Sequence, residues 1–435
     1  MNDNPLNDAL FKFICDSPTP FHAVANIVRI LKKSGFKVLD EGQKWQLERG
    51  GRYAVIRNGS LIAFTFNNVD FSQEGFRILG AHTDSPSLQL KPNPRLPVSP
   101  YFQFGVEKYG GALLNTWFDR ELSLAGRVTV QSENGSPLSL LIDFKEPVLY
   151  IPSLAIHLDR KANEGREINA QTDICPVFAQ SITSEEQWHT LLSERLSRLY
   201  PDIAWRSILG SDLFCYDCSP PQFFGLDKKF ICGPRLDNLL SCFVGLQALL
   251  QHKNSTNCML IFTNHEEIGS TTSSGALSNF SSSVLSRICT SLENQAICMN
   301  NSFFISLDNA HASHPNFVDK SDTDHQVILN HGPVIKINSS QRYCSNSRSG
   351  AIFRLLCSEV GVQTQDFVMR SDMLCGSTIG PLTSAELGIE GVDIGVPTWA
   401  MHSIREVTGA MDPELLYLAV HHFLNRDSLP VISNS

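Results

Sequence analysis

Four short runs, FRILGA, CMLIFT, FFISL and GVDIGV, are predominantly apolar, without the regular alternation of a half-solvated strand. Strands that read this way are buried on both faces, which requires a sheet covered by helices on each side. The helical pattern NLLSCFVGLQALLQHK stands between the first and second runs, as α/β architecture demands. At the start, Leu10, Phe13, Ile14, Val24, Ile27 and Ile30 fall in helical periodicity around a break at SPTP and predict an amphipathic lid or packing helix. From Tyr53 the pattern shortens to YAVI and LIAFTF, which are strand-like. Between about 92 and 226 the chain turns proline-rich and alternating, as in GRVTVQSENGSPLSLLIDF with its Asn-Gly turn candidate. The expected organisation is an α/β domain from residues 1–92 and 227–435, interrupted by a β-rich insertion at 93–226. The serine-rich stretch 273–286 reads as a helix entry rather than a linker.

Charge narrows the partners. A formal net charge of −9, without long like-charge blocks, argues against nucleic acid, and any acidic ligand needs a local basic pocket. The opening MNDNPLNDALFKF lacks the basic start and apolar stretch of a secretory signal, and no window approaches the roughly 20 apolar residues of a membrane span. A cytoplasmic protein with no membrane partner is the expectation. The twelve cysteines sit mostly in apolar runs, where a reduced thiol packs as a small hydrophobe. Cys215 and Cys218 form one C-x-x-C pair with no second pair at zinc-finger spacing, so a structural reading is expected.

Each apolar run is followed within a few residues by a side chain able to bind a metal. His82 follows FRILGA; His265, Glu266 and Glu267 follow CMLIFTN; Asp308 follows FFISL; His402 follows GVDIGVPTWAM. In open α/β sheets ligands gather beyond the carboxyl ends of the strands, so residues distant in sequence converge there. Asp237, in GPRLDNLL, stands at a helix entrance and is a further candidate, or else a helix cap. Imidazole and carboxylates suit two divalent cations, zinc foremost, and an aspartate can bridge a pair. Such a pair activates water for hydrolysis, and the adjacent Glu266 and Glu267 offer one metal ligand and one free base. His82 alone would be an ordinary turn residue, but Asp84 in the same turn is placed to orient its imidazole. Asp308 heads DNAHASHPN, where Asn309, His311 and His314 also fit a simple turn.

Other hydrolytic chemistries find no support. HEEIG lacks the second histidine of H-E-x-x-H, there is no G-x-S-x-G elbow, and SDMLCGSTIG lacks the setting that would make Cys375 a nucleophile.

The segments GAHTDSP, RLDNL, HEEIGS, LDNAHASHPN, SDMLCGSTIGP and MHSIRE, in that order, make nearly the whole chain resemble the aspartyl aminopeptidase family. The resemblance implies a mixed-sheet zinc-peptidase domain sandwiched by helices, with an inserted β-rich dimerisation domain. It further implies removal of N-terminal aspartate or glutamate from peptides by a dizinc-activated water. Asp237 would bridge the two Zn2+ ions, His82 and Asp308 would complete one site, Glu267 and His402 the other, and Glu266 would be the general base. His157, in IPSLAIHLDR, would reach a neighbouring subunit's site within a homo-oligomer, commonly a dodecamer in that family. Lys336, Tyr343 and His311 would touch substrate, Lys336 pairing with its acidic side chain. At Leu374 the family usually has proline, which loosens the expectation for that loop. The alternatives are a dizinc exopeptidase or deacylase of another specificity, and a non-catalytic scaffold. The scaffold reading would require loss of Glu266 or a ligand, and all are present.

Overall fold

A computed structural model describes residues 5–66, 74–95, 100–180, 184–253, 256–289 and 291–429. It divides into two compact units, one of Met1–Asp84, Pro221–Met401 and Glu406–Ser435, the other of Ser85–Pro220 with His402–Arg405.

In the first unit the four apolar runs become adjacent parallel strands, ordered Cys258–Thr263, Arg77–His82, Phe303–Leu307, Glu390–Gly395. They form the middle of a nine-stranded sheet. On one edge lie Ser60–Phe66, Gly51–Arg57 and Lys37–Leu39, on the other Val334–Ile337 and Gln365–Val368. The period of two along each strand sends alternate residues to opposite faces. Leu79, Ala81, Leu260, Phe262, Ile305 and Leu307 join one apolar cluster with the helices Pro5–Cys15, Pro20–Lys33, Leu236–Leu250, Ser347–Glu359 and Asp412–Asn425. Ile78, Met259, Ile261 and Phe304 join another with Phe280–Ile288, Leu292–Asn300 and Ile379–Leu387. A mixed sheet between two helical layers is the α/β arrangement expected, and it explains why these strands have no solvated face.

The two N-terminal helices are packing helices rather than a lid, since Leu10, Phe13, Ile14, Val24 and Ile27 are buried in the first cluster. The second starts on Thr19, whose hydroxyl accepts from His22 N–H, with Pro20 at its first position. The helix Phe280–Ile288 begins inside the serine-rich stretch. A five-stranded sheet of short segments, Gln222–Phe224, Phe230–Gly233, Glu406–Gly409, Pro397–Trp399 and Ala310–His311, completes this unit. No helix among the described residues is long and apolar enough to cross a membrane.

The second unit is built on a seven-stranded sheet around its own apolar cluster, with one helix, Glu185–Leu199, packed on it through Trp188, Leu192 and Leu196. The ENGS turn joins the antiparallel strands Glu121–Ser132 and Pro137–Asp143. This unit begins at Ser85, ahead of residue 93 where composition changes, because the strand Ser87–Arg95 pairs with Phe102–Tyr109 and Trp205–Asp217. His402–Arg405 also belong to it: Leu113 N–H donates to the His402 carbonyl, Ile404 enters the cluster, and Arg405 meets Asp217 at 3.2 Å. Cys215 is buried in a strand, where desolvation pushes its thiol up, and Cys218 bonds the Glu121 carbonyl. The pair is structural.

Candidate metal centre

Register decides what meets at the carboxyl edge of the first unit's sheet. Thr263 pairs with His82 and Ser306 with Gly80, so His82, the residues after Thr263 and Asp308 after Leu307 emerge side by side. After Thr263 the chain folds into a tight turn, Glu266–Ile268, flanked by His265 at φ 67° and Gly269 at φ 96°. Glycine is needed at the second, where the left-handed backbone lets its N–H close onto the Glu266 carbonyl at 2.9 Å. Asp237 comes from the first turn of Leu236–Leu250. Its backbone there is extended, at φ −83° and ψ 105°, and the N-cap position is Arg235, without a side-chain capping bond.

His82 is the hub. Its Nδ1 donates to the Asp84 main-chain carbonyl at 3.0 Å, which aims Nε2 at the carboxylates. From Nε2 the nearest oxygens are 3.4 Å away on Asp237, 3.7 Å on Asp308 and 4.0 Å on Glu266. One donor atom from each of His82, Asp237 and Asp308 lies within 4.8 Å of the others, and the same is true of His82, Glu266 and Glu267. Burial alone would lower the His82 pKa, but contacts with Asp237, Asp308 and Asp84 outweigh it and raise it well above the ordinary value. Burial, with the charges of Asp308, Asp84 and Asp237, pushes Glu266 up to about 8, and burial with Asp237 raises Glu267 as well. Asp308 runs the other way. Burial is outweighed by Lys336 and His82, which hold its carboxyl below the usual range.

Asp84 serves the site beyond the expected carboxylate–imidazole pairing. Its carboxylate stands 3.5 Å from His82 Nδ1 and accepts the main-chain N–H groups of Glu266 and Glu267, each at 3.2 Å. One fully buried residue therefore positions three candidate site residues.

Two more supports had no local signal in the sequence. The Glu406 carboxylate accepts Asp237 N–H at 2.8 Å, and Asn238 Nδ2 donates to the Leu307 carbonyl at 2.7 Å, tying the helix entrance to the strand that carries Asp308.

Of the candidate substrate contacts, Lys336 is buried. Its ammonium lies 3.4 Å from Asp308 Oδ2, donates to the Asn309 carbonyl at 3.2 Å and sits 5.2 Å from the centre of the Tyr343 ring. Tyr343 is buried beneath it, and His311 is exposed on the strand Ala310–His311. His157 lies in the second unit, exposed in an irregular stretch. His402, at φ 67°, also belongs to that unit, where its Nδ1 lies near Gly111.

The donor set fits a divalent cation. Imidazole nitrogen and carboxylate oxygens converge without thiolates, which is borderline to hard ligation, and the oxygens gather more negative charge than one imidazole neutralises. Bound there, zinc would relieve that repulsion.

Comparison with known proteins agrees. The family model described as Aminopeptidase I zinc metalloprotease (M18) matches residues 13–424. The chain is 48% identical over 427 residues to a "Probable M18 family aminopeptidase 2" of Stutzerimonas stutzeri (strain A1501), covering 98% of this chain and 99% of that protein. A protein of the same description from Pseudomonas aeruginosa (strain UCBPP-PA14) shows the same identity and coverage. Among solved structures, Ape4 from its cryo-EM complex with Nbr1 superposes with a TM-score of 0.92 at 36% identity, covering 96% of this chain and 85% of that one. The S. cerevisiae mApe1 dodecamer superposes with a TM-score of 0.83 at 26% identity, covering 97% and 96%. This chain belongs to the Aminopeptidase I zinc metalloprotease family, M18, and its activity is that of a metallo-aminopeptidase.

Proposed function

We propose that the chain removes N-terminal aspartate or glutamate from peptides, using two zinc ions. In this reading His82, Asp237, Glu267, Asp308 and His402 would hold the ions, Asp237 being shared between the two. The observation that carries it is the meeting of His82, Asp237 and Asp308 at one point, with Glu266 beside them on a separate turn. When bound, the two ions would supply Lewis acidity to the scissile carbonyl and acidity to a shared water. Glu266 takes the proton of the attacking water and returns it to the departing amine. Its side chain suits this role because it is 16% exposed, against 4% for Asp237, so a water can reach it. Asp84 holds Glu266 and Glu267 in one turn so that one can bind while the other shuttles. His311 and Tyr343 line the approach to the substrate. Lys336 already neutralises part of Asp308, and a substrate carboxylate entering beside Tyr343 would share that ammonium.

The second unit would build the contacts of a cytosolic homo-oligomer, with His157 completing a neighbour's site. What supports this is the apolar surface flanking it: Leu154, Ile156 and Leu158 are 45%, 49% and 74% exposed. The mApe1 relative is a dodecamer.

A panel of aminoacyl substrates on the zinc-loaded protein tests the specificity. Asp and Glu should exceed Leu and Ala by about 10–10²-fold in kcat/KM, because a substrate carboxylate would gain a charge-assisted contact with the Lys336 ammonium that Leu and Ala cannot make. A preference for Leu or Ala would instead establish an exopeptidase or deacylase of another specificity, and zinc-loaded protein inert on every substrate would establish the scaffold.

A further inference from the structure

Three residues beyond Asp308, the strand Ala310–His311 forms part of the wall of a cavity of about 270 Å³. It lies wholly within the first unit, and its lining sets Phe367, Met369, Met373 and Trp399 beside His311, His314, Lys320 and Arg370. This volume is smaller than the pockets that enclose whole drug-sized ligands, which begin at roughly 300 Å³, and suits one large side chain. Aromatic and thioether surfaces accept apolar groups of varied shape.

Two observations connect the cavity to the candidate centre. A chain advances at most about 3.3–3.6 Å per residue, so His311 stands no more than about 11 Å along the backbone from Asp308. Packing gives a second link. The Phe367 ring is 5.9 Å from His311 and 6.4 Å from Tyr343, Tyr343 lies under Lys336, and Lys336 pairs with Asp308. A peptide held at the centre therefore reaches this cavity within one or two residues of the scissile bond. The cavity is not a second acid pocket. Arg370 forks onto Asp372 at 2.9 and 2.6 Å, and Lys320 lies 3.8 Å from Asp319, so the charges of these two lining bases face carboxylates of the chain itself.

We infer that this cavity receives the side chain of the substrate's second residue, the one that departs with the new amino terminus, and that it favours large apolar or aromatic residues there. The inference rests on Asp308 belonging to the catalytic centre, as proposed above. It assigns specificity on the leaving side to Phe367, Met369, Met373 and Trp399.

The test is a series of Asp-Xaa-Ala peptides, with Xaa as Gly, Glu, Leu, Phe or Trp, assayed on the full-length zinc-loaded protein. Phe and Trp should exceed Gly and Glu in kcat/KM by about 10-fold or more, the discrimination typical of one apolar subsite. In Met373→Asp that ratio should fall toward one, with Met369→Ala as a second variant should the first fold poorly. A flat series in the wild type, or a ratio unmoved in both variants, overturns the inference. The two readings fail separately. Acidic preference at the first residue with a flat Xaa series removes only the cavity, whereas Xaa dependence with Leu or Ala preferred at the first residue removes only the proposed acidic specificity.

Discussion

Two of the places where the first unit buries carboxylates surround them with different partners. At the start of the helix Asp412–Asn425, Asp412 is 1% exposed, and its Oδ2 accepts main-chain N–H groups from Asn330 at 2.9 Å and Gly409 at 3.0 Å. Around His82, by contrast, Asp237, Asp308, Glu266 and Glu267 crowd against one imidazole, with one ammonium, Lys336, behind Asp308. Backbone donors to Oδ2 offset part of the cost of burying Asp412, with groups the fold itself supplies. The second cluster keeps carboxylate oxygens directed at a common point, an arrangement costly without a cation and stabilised by one. The contrast shows how a lone buried acid differs from a crowd of them: Asp412 meets main-chain donors and little else, whereas the carboxylates around His82 outnumber their cationic partners and converge where a cation can sit.

The largest expected effect removes one member of the crowded cluster without removing its shape. Glu266→Gln should lower kcat by about 10²–10⁴-fold while zinc content, measured by atomic emission, stays at the wild-type level, because base and ligand are separate groups. A parallel loss of zinc would make Glu266 a ligand, a role open to it because His82, Glu266 and Glu267 also bring donor atoms within 4.8 Å of one another.

Asp412 gives the next effect, in stability rather than turnover. Burial pushes its pKa up from 3.8 to about 7, against the pull of main-chain donors from Asn330, Gly409 and Gly332 and the charge of His331. A raised carboxyl pKa means the folded state holds a proton that the unfolded chain gives up. Asp412 therefore costs nothing below about pH 3.8, costs progressively more as pH rises toward 7, and reaches its full cost above that. Three units correspond to an upper bound of about 4 kcal/mol. Asp412→Asn keeps an oxygen acceptor and has no charge, so urea unfolding should show the variant gaining stability over wild type between pH 4 and 8. Equal slopes with pH would mean that Asp412 ionises inside the fold without penalty.

The sequence makes one of these two places legible and conceals the other. His82, the Glu266–Glu267 pair and Asp308 stand out because each follows a run with no polar face, and a polar group at that point has few packing roles. Asp412 opens DPELL and reads as an ordinary acidic helix start. Its burial depends on Asn330 and Gly409, contributed by other parts of the fold. Lys336 is hidden for the same reason: its partner Asp308 is set by the antiparallel pairing of Val334–Ile337 with Glu390–Gly395, next to the strand that precedes Asp308. The start of the second unit is missed because SLQLKPNPR is a strand in either unit. Only its pairing with Trp205–Asp217, more than a hundred residues later, decides which sheet it joins. Local pattern identifies an element and its buried face; the partner that completes it is a long-range fact.

The smallest effect probes how the crowded cluster is kept in shape. The Asp84 carboxylate accepts N–H groups from both Glu266 and Glu267, and its main-chain carbonyl fixes His82. Asp84→Asn preserves the carbonyl and one side-chain oxygen but turns an amide toward one of the two N–H donors. The turn then loses one of its two ties. Groups that orient metal ligands in this way typically contribute 10–100-fold to metal affinity or activity, so zinc affinity and kcat should each fall by about that factor, with the unfolding midpoint little moved. The result that separates positioning from bulk stability is the ratio of the two losses. If the midpoint drops and zinc affinity holds, Asp84 is a packing acid like Asp412 and the contrast between the two places narrows. If zinc affinity drops while the midpoint holds, the cluster owes its geometry to a buried carboxylate whose neutralising donors come from the candidate ligands' own backbone.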